Sequence, residues 1–269
     1  MLRVGLIGLG SIGTAICEAW AEKLDGIAEL SAVLVRPDRA SRAATCLPGK
    51  SRLVTDLDSF LGSELGFVIE AAGHGALHDY GEQVLLAGCE LLTMSVGALG
   101  DDGLRDRFES AAAEGFGRLL IPAGALAGFD GLLSLRAAGL TSVTYHSAKP
   151  PHAWAGTPAE QLCCLETLDE RRTIFSGTAR EAAAAFPQNA NLAAAVALAG
   201  LGFDRTKVEL AAQPGLELYS SRIVAETENE LLDVTLYSAP FGDNPKTSRI
   251  TAMSAIAALQ CDNARIVFR

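Results

Sequence analysis

The first apolar run, residues 2–9, is rich in β-formers and breaks at Gly8-Leu9-Gly10-Ser11-Ile12-Gly13. Residues 14–23 then set Ile16, Ala19 and Trp20 at helical spacing. A second apolar run, 28–36, ends Ala32-Val33-Leu34-Val35-Arg36. Strand, glycine turn, helix and strand in that order make a βαβ unit. The rhythm continues with a buried strand at Phe67-Val68-Ile69-Glu70-Ala71-Ala72, a helix over 80–87 that stops at Gly88, and strands at 90–96 and 118–122. Strands alternating with helices predict a parallel sheet covered on both faces. Beyond residue 123 the pattern changes. Residues 139–148 alternate like a half-exposed strand; 180–186 and 191–200 are Ala-rich helices; 207–212, 221–226 and 230–237 are strands between turn residues. A closing helix is expected over 247–259, with Asn244-Pro245 making its start. No internal repeat or low-complexity segment interrupts this order.

The expected fold is therefore α/β: an N-terminal Rossmann-type doubly wound parallel sheet, then an α+β domain with a mixed or antiparallel sheet. The expected boundaries are 1–122, completed by 245–269, for a dinucleotide-binding domain, and 123–244 for a substrate-binding domain.

Composition narrows the function. The chain has 269 residues, 49% hydrophobic, and a formal net charge of −10. A protein that grips a polyanionic duplex carries the opposite sign, so no nucleic-acid partner is expected. No apolar stretch is long enough to span a bilayer and none has the form of a signal peptide, so the expectation is a cytoplasmic protein with no membrane partner. Six cysteines without a C-x-x-C pair read as free thiols in a reducing compartment, and no metal is expected.

The glycine motif gains its force from context: it follows a strand and opens a helix. Gly8 permits the tight turn, Gly10 lets the backbone approach a pyrophosphate, and Gly13 allows close helix–strand packing. Ser11 and Ile12 begin the helix whose N–H groups would face the phosphates. These residues predict NAD or NADP as cofactor. The second strand ends in Arg36, where an acidic residue would favour NAD; Arg36 and Arg39 suit a 2′-phosphate, or are simply solvated charges. Ala71 and Ala72 end the strand that would overlook the cofactor, beside His74 and His78, and Ser95-Val96-Gly97-Ala98 forms a small turn at another strand end. Lys149-Pro150-Pro151-His152-Ala153-Trp154 puts a cation, an imidazole and an indole on a stiff loop able to reach over a cleft. Asn191 is a candidate N-cap of the helix after Pro187-Gln188-Asn189-Ala190. A helix start with two amides, and Lys246 with Thr247 near the last helix, would both serve a carboxylate.

Taken together, the chain resembles the L-aspartate dehydrogenase family. The stretches that carry the resemblance are 8–13, 80–88, 95–99, 121–130, 149–154, 175–191 and 244–248; the most specific are Phe175-Ser176-Gly177-Thr178-Ala179 with Phe186-Pro187-Gln188-Asn189-Ala190-Asn191, and Asn244-Pro245-Lys246-Thr247-Ser248. The resemblance implies NAD(P)-linked oxidative deamination of L-aspartate, through iminosuccinate, to oxaloacetate and ammonia. It implies Asn189, Asn191, Lys246 and Thr247 on a small dicarboxylate or amino-acid substrate, adds Ala123 and Asn189 to the cofactor contacts, and implies a homodimer joined through the second domain. In one place the chain departs from the family. Where the family reads Asp-Pro and then Asn-x-His, the His being its proposed acid/base, this chain reads Gln213-Pro214 and then Tyr219-Ser220-Ser221. Ser221 stands at the histidine position and has no pKa near neutrality. His152, Lys149 and Tyr219 are the substitutes the sequence offers. Two alternatives stay open: a dehydrogenase or reductase of another small carboxylate or imine, and a catalytically degenerate NAD(P)-binding regulator.

Overall fold

A computed structural model of the chain describes residues 1–43, 47–187, 189–241 and 244–267, without the side chains of residues 42, 43 and 244–247. The chain divides into two compact units: Met1–Gly124 with Thr251–Arg269, and Ala125–Ile250.

In the first unit, β1 (Leu2–Ile7), α1 (Ser11–Lys23), β2 (Ala28–Leu34), α2 (Ala40–Ala43), β3 (Arg52–Val54), α3 (Leu57–Leu61), β4 (Phe67–Glu70), α4 (His74–Leu86), β5 (Glu90–Thr93), α5 (Asp102–Gly115) and β6 (Arg118–Leu120) follow in order. The six strands form one sheet in the order β3-β2-β1-β4-β5-β6, and every pairing is parallel. Val4, Leu6, Ile7, Val68 and Ile69 are almost wholly buried, which is why these strands read as apolar runs rather than alternating ones. This is the doubly wound sheet expected from the alternation.

The second unit contains α6 (Phe129–Gly139), β7 (Ser142–Lys149), β8 (Arg172–Thr178), α7 (Ala179–Ala185), α8 (Asn191–Ala199), β9 (Lys207–Ala212), β10 (Tyr219–Glu226), β11 (Leu231–Ser238), β12 (Pro240–Phe241) and β13 (Asn244–Ser248), and runs into α9 (Arg249–Asp262). Its main sheet is mixed, in the order β11-β10-β7-β9-β8; β7 and β9 run parallel and the other pairs antiparallel. The sheet has two chemically different faces, as the alternation over 139–148 required. Val143, Tyr145, Val208, Leu210, Ile223 and Ala225 are buried on one. The other carries paired polar groups: His146 Nδ1 lies 3.0 Å from Glu209 Oε2, and Arg222 donates to Asp233 through two nitrogens.

Two sequence expectations are corrected here. The last helix starts at Arg249, not at Asn244-Pro245; residues 244–248 form β13, which pairs with β12. Asn191 is the first residue of α8 rather than its cap, since the capping position is Ala190 and no side chain caps that end. Among the described residues no helix is long and apolar enough to cross a membrane.

Candidate functional site

Strand order reverses between β1 and β4, the place where an open parallel sheet leaves a crevice beyond the strands' carboxyl ends. The three glycines stand there. Gly8 has φ +95°, and a Cβ on it would lie 2.6 Å from the Cβ of Ala72 on the neighbouring loop. A Cβ on Gly13 would meet the Gly8 carbonyl oxygen at 2.2 Å, so α1 packs against the turn only because that side chain is missing. Gly10 differs: a Cβ there would meet no heavy atom within 4 Å. Its hydrogen is thus dictated by something other than protein packing. Gly10 occupies the N-cap of α1, where no side chain caps the helix and the first turn holds no acidic residue. Ser11, Ile12 and Gly13 supply the first N–H groups of a helix whose dipole favours an anion at this end. The arrangement fits a dinucleotide pyrophosphate.

The loops around this crevice share a support that the sequence reading did not single out. Glu70, fully buried at the end of β4, accepts N–H groups from Ala72 at 2.7 Å and Gly73 at 2.8 Å through one oxygen. Its other oxygen accepts the Thr93 hydroxyl at 2.7 Å, and Thr93 Oγ1 accepts the Ser95 N–H at 3.0 Å. One carboxylate therefore ties the loop after β4 to the segment after β5. Ala71 donates its N–H to Ile7 O at 2.8 Å, closing the same loop onto β1. A buried acid at a strand end next to Ala-Ala-Gly was the available signal. Ser95 is buried and precedes a 3₁₀ turn, Val96–Gly100, which holds Gly97. Ala123 is exposed beyond β6. Arg36 lies at the expected strand end, exposed, with Nε 3.6 Å from Asp38 Oδ1.

In the second unit, β7 and β10 bring a polar cluster to the buried face of the sheet. Ser147 lies opposite Ser221 in the register, and the next same-face step leads to Lys149 and Tyr219. The Lys149 ammonium sits 5.5 Å from the ring centroids of both Trp154 and Tyr219, and donates to Asn189 Oδ1 at 3.4 Å. The residue is part-buried as a whole, but its charged end is enclosed, and burial pushes its pKa down to about 8. Asn189 is buried, and its Nδ2 has no hydrogen-bond partner among the described residues. The Tyr145 hydroxyl lies 3.4 Å from Ser221 Oγ; burial pushes the Tyr145 and Tyr219 phenols up, so both hold their protons at neutral pH.

The proline-bearing segment is a compact turn rather than an extended loop. Pro151–Trp154 is a 3₁₀ turn, and Trp154 is fully buried, donating Nε1–H to Ala211 O at 3.1 Å and meeting Phe186 edge-on at 6.1 Å. The indole is a wall behind Lys149, and His152 on the same turn is exposed. Asn189 is drawn together with Lys149, whereas Asn191 is part-buried at the start of α8. The side chains of Lys246 and Thr247, and Gln188, lie outside the described residues.

Comparison with known proteins matches both units to dehydrogenase families. Residues 8–122 match the homoserine dehydrogenase NAD-binding domain, and residues 130–261 match the C-terminal domain of aspartate dehydrogenase. The chain is 38% identical to an L-aspartate dehydrogenase of Cupriavidus taiwanensis, over 96% of this chain and 97% of that one. It is also 38% identical to an L-aspartate dehydrogenase of Methanosarcina acetivorans, over 97% and 96% of the two chains. Among solved structures, aspartate dehydrogenase from Thermotoga maritima covers the full length of both chains with a TM-score of 0.79 at 22% identity, a likeness of fold.

Proposed function

This chain belongs to the aspartate dehydrogenase family and carries its NAD(P)-binding domain, and from that premise we propose that it catalyses the reversible oxidative deamination of L-aspartate to oxaloacetate and ammonia. When bound, the nicotinamide accepts a hydride from the substrate α-carbon. The first unit is proposed to hold the dinucleotide through Gly8, Gly10, Ser11, Ile12 and Gly13, with Ala71, Ala72, Ser95, Gly97 and Ala123 around it. Arg36 is proposed to admit a 2′-phosphate, so that NADP serves as well as NAD. The second unit is proposed to hold the dicarboxylate through Lys149 and Asn189, with Asn191, Lys246 and Thr247 contributing.

The observation that carries this reading is Asn189. Its Oδ1 is engaged by Lys149 while its buried Nδ2 is unpartnered among the described residues. A buried donor left unpaired costs roughly 1–3 kcal/mol, and a substrate carboxylate would remove that cost. Lys149 supplies a cation beside it. Steady-state assays test the reading: NAD(P)H should be consumed with oxaloacetate plus ammonia, and formed with L-aspartate in preference to other amino acids. Turnover of a different carboxylate in preference to aspartate would sink it. One observation favours an altered chemistry, because Ser221, at the position the resemblance assigns to an acid/base, is a buried hydroxyl against Tyr145. A homodimer joined through the second unit is part of the proposal, and a light-scattering mass of one chain at micromolar concentration would remove it.

A further inference from the structure

Strand β4 breaks its own pattern at one position, and we propose that the residue there, Glu70, is a positioning residue for hydride transfer: through Thr93 it fixes the loops that seat the nicotinamide half of the dinucleotide, separately from the half that seats the adenosine. This rests on the reading of the Gly8–Gly13 turn as the pyrophosphate site.

β4 reads Phe67-Val68-Ile69-Glu70, and all four residues are buried. Apolar side chains are the ordinary occupants of such a strand, and a carboxylate taken out of water is costly unless hydrogen bonds replace that water. A residue that breaks the local pattern marks a place where more than folding is being satisfied. What Glu70 holds is specific. Its Oε1 accepts the N–H groups of Ala72 at 2.7 Å and Gly73 at 2.8 Å. Its Oε2 accepts the hydroxyl of Thr93, also fully buried, at 2.7 Å, and that hydroxyl oxygen accepts the Ser95 N–H at 3.0 Å. Backbone N–H groups from two separate loops therefore converge on one chain of acceptors. Its polarity is fixed at both ends by the backbone, so the side chain at 70 must accept on both sides. Glutamine accepts on one side only; its NH₂ would face either the two N–H groups or the Thr93 hydroxyl, which would then lose the acceptor it now uses.

These loops lie on one side of the switch point. In a doubly wound sheet each half takes one nucleotide, and the end of the second strand meets the adenosine ribose. Here β1, β2 and β3 form that half, and β4, β5 and β6 form the other. The glycine turn of the first half is held without Glu70: Gly8 donates its N–H to Leu34 O at 2.9 Å, and α1 packs on the turn at Gly13. In the second half the loop ends are joined by Glu70. One end of its acceptor chain is Ala72, whose Cβ, Cα and N would lie 2.6, 2.7 and 2.8 Å from a Cβ on Gly8, so this loop abuts the pyrophosphate turn. The other end is Ser95, which opens the 3₁₀ turn Val96–Gly100. The carboxylate thus sets the spacing between these two loops. Hydride transfer depends steeply on such placement, since a displacement of about 1 Å costs roughly 10²-fold in rate.

Two variants break the chain at different links. Glu70→Gln keeps the size and removes one acceptor; Thr93→Val keeps the shape and removes the hydroxyl, which Thr93→Ser restores. The ligands are NADH and ADP-ribose, which carries the adenosine and pyrophosphate without the nicotinamide. Fluorescence titration and calorimetry give their affinities, with thermal melts and steady-state aspartate oxidation alongside. Glu70→Gln and Thr93→Val should bind ADP-ribose as wild type does, bind NADH several-fold more weakly, and lose roughly 10²-fold in kcat with little change in the KM for aspartate. Thr93→Ser should recover both NADH affinity and kcat. Equal losses for NADH and ADP-ribose would make Glu70 a support of the whole site, and NADH affinity and kcat both retained would make it an element of the fold alone; either result overturns the proposal. Should Glu70→Gln fail to fold, Thr93→Val against Thr93→Ser decides on the same readouts. Wild-type protein that binds neither ligand refutes the dinucleotide reading itself, and Glu70's role with it. Wild type that binds both, with variants indistinguishable from it, refutes Glu70 alone. The difference between NADH and ADP-ribose decides the proposal even where aspartate is not the substrate turned over.

Discussion

Replacing Gly10 with valine should separate cofactor binding from stability. The backbone at Gly10 has φ −80° and ψ −162°, an extended conformation that any residue adopts, and a Cβ there meets no heavy atom within 4 Å. Valine is a poorer N-cap than glycine, which costs α1 at most about 1 kcal/mol. For a chain of this size that lowers Tm by about 2–4 °C. The isopropyl group projects where the pyrophosphate must approach the helix N-terminus, so NAD(P)H affinity should fall at least tenfold, about 1.4 kcal/mol. Gly13→Ala is the internal control. Its Cβ would sit 2.2 Å from the Gly8 carbonyl oxygen, so α1 must shift away from β1. Overpacking of that kind costs about 1–3 kcal/mol, and the Tm loss should exceed that of Gly10→Val. Fluorescence titration with NADH and NADPH, with thermal melts of both variants, reads out the pair. Unchanged affinity in Gly10→Val, or an equal Tm loss in both, would refute the assignment of the two glycines to ligand and to packing.

Arg36→Asp should shift the chain towards NAD by at least tenfold in the ratio of affinities; the ion pair Arg36 now makes is exposed and worth about 0–1 kcal/mol, so little stability is lost. Wild-type protein that binds NAD tightly and NADP not at all would show this arginine to be a surface charge. Ser221→His should lower Tm, because an imidazole would crowd the buried position 3.4 Å from the Tyr145 hydroxyl at a cost of about 1–3 kcal/mol. Thermal melts check this; an unchanged Tm would show that the position has room for an imidazole. The stability of wild type relative to Lys149→Met should rise with pH between about 8 and the ordinary lysine value. The sign follows from the lowered pKa: in that window the unfolded chain binds the proton that the folded chain has shed, and below it the cost of the enclosed ammonium is present in full. A flat difference in denaturant midpoints across that window would remove the enclosed charge.

The Rossmann half was legible because its signals are local. A parallel strand covered on both sides must be apolar throughout, and a phosphate-binding turn must be glycine at fixed offsets; the run at 2–7 meets the first demand and Gly8, Gly10 and Gly13 the second, without help from distant residues. The alternation of residues 139–148 likewise announced a sheet with one polar face. Elements without a local signature were missed. α5 (Asp102–Gly115) is amphipathic but too polar overall to show an apolar run, and β8 (Arg172–Thr178) is an edge strand whose one strand partner, β9, lies far along the chain. The closing helix was placed too early because Asn244-Pro245 looks like a helix start, whereas β12 recruits residues 244–248 into a strand.

What the sequence determined, then, was the first unit's sheet, its cofactor class and the absence of a histidine after His152. The tertiary structure decided which remaining groups meet. Lys149 and Trp154 looked like neighbours on one stiff loop; the fold instead ends β7 at Lys149, sets its ammonium 5.5 Å from the ring centroids of Trp154 and Tyr219, buries Trp154 and brings Asn189 from another turn to it. The pKa of a lysine depends on how much water and countercharge surround it, and both are set by residues far away in the chain. No local pattern records them, so the cluster of Lys149, Trp154, Tyr219 and Asn189 emerges only when β7, β10 and the turn before α8 are folded together.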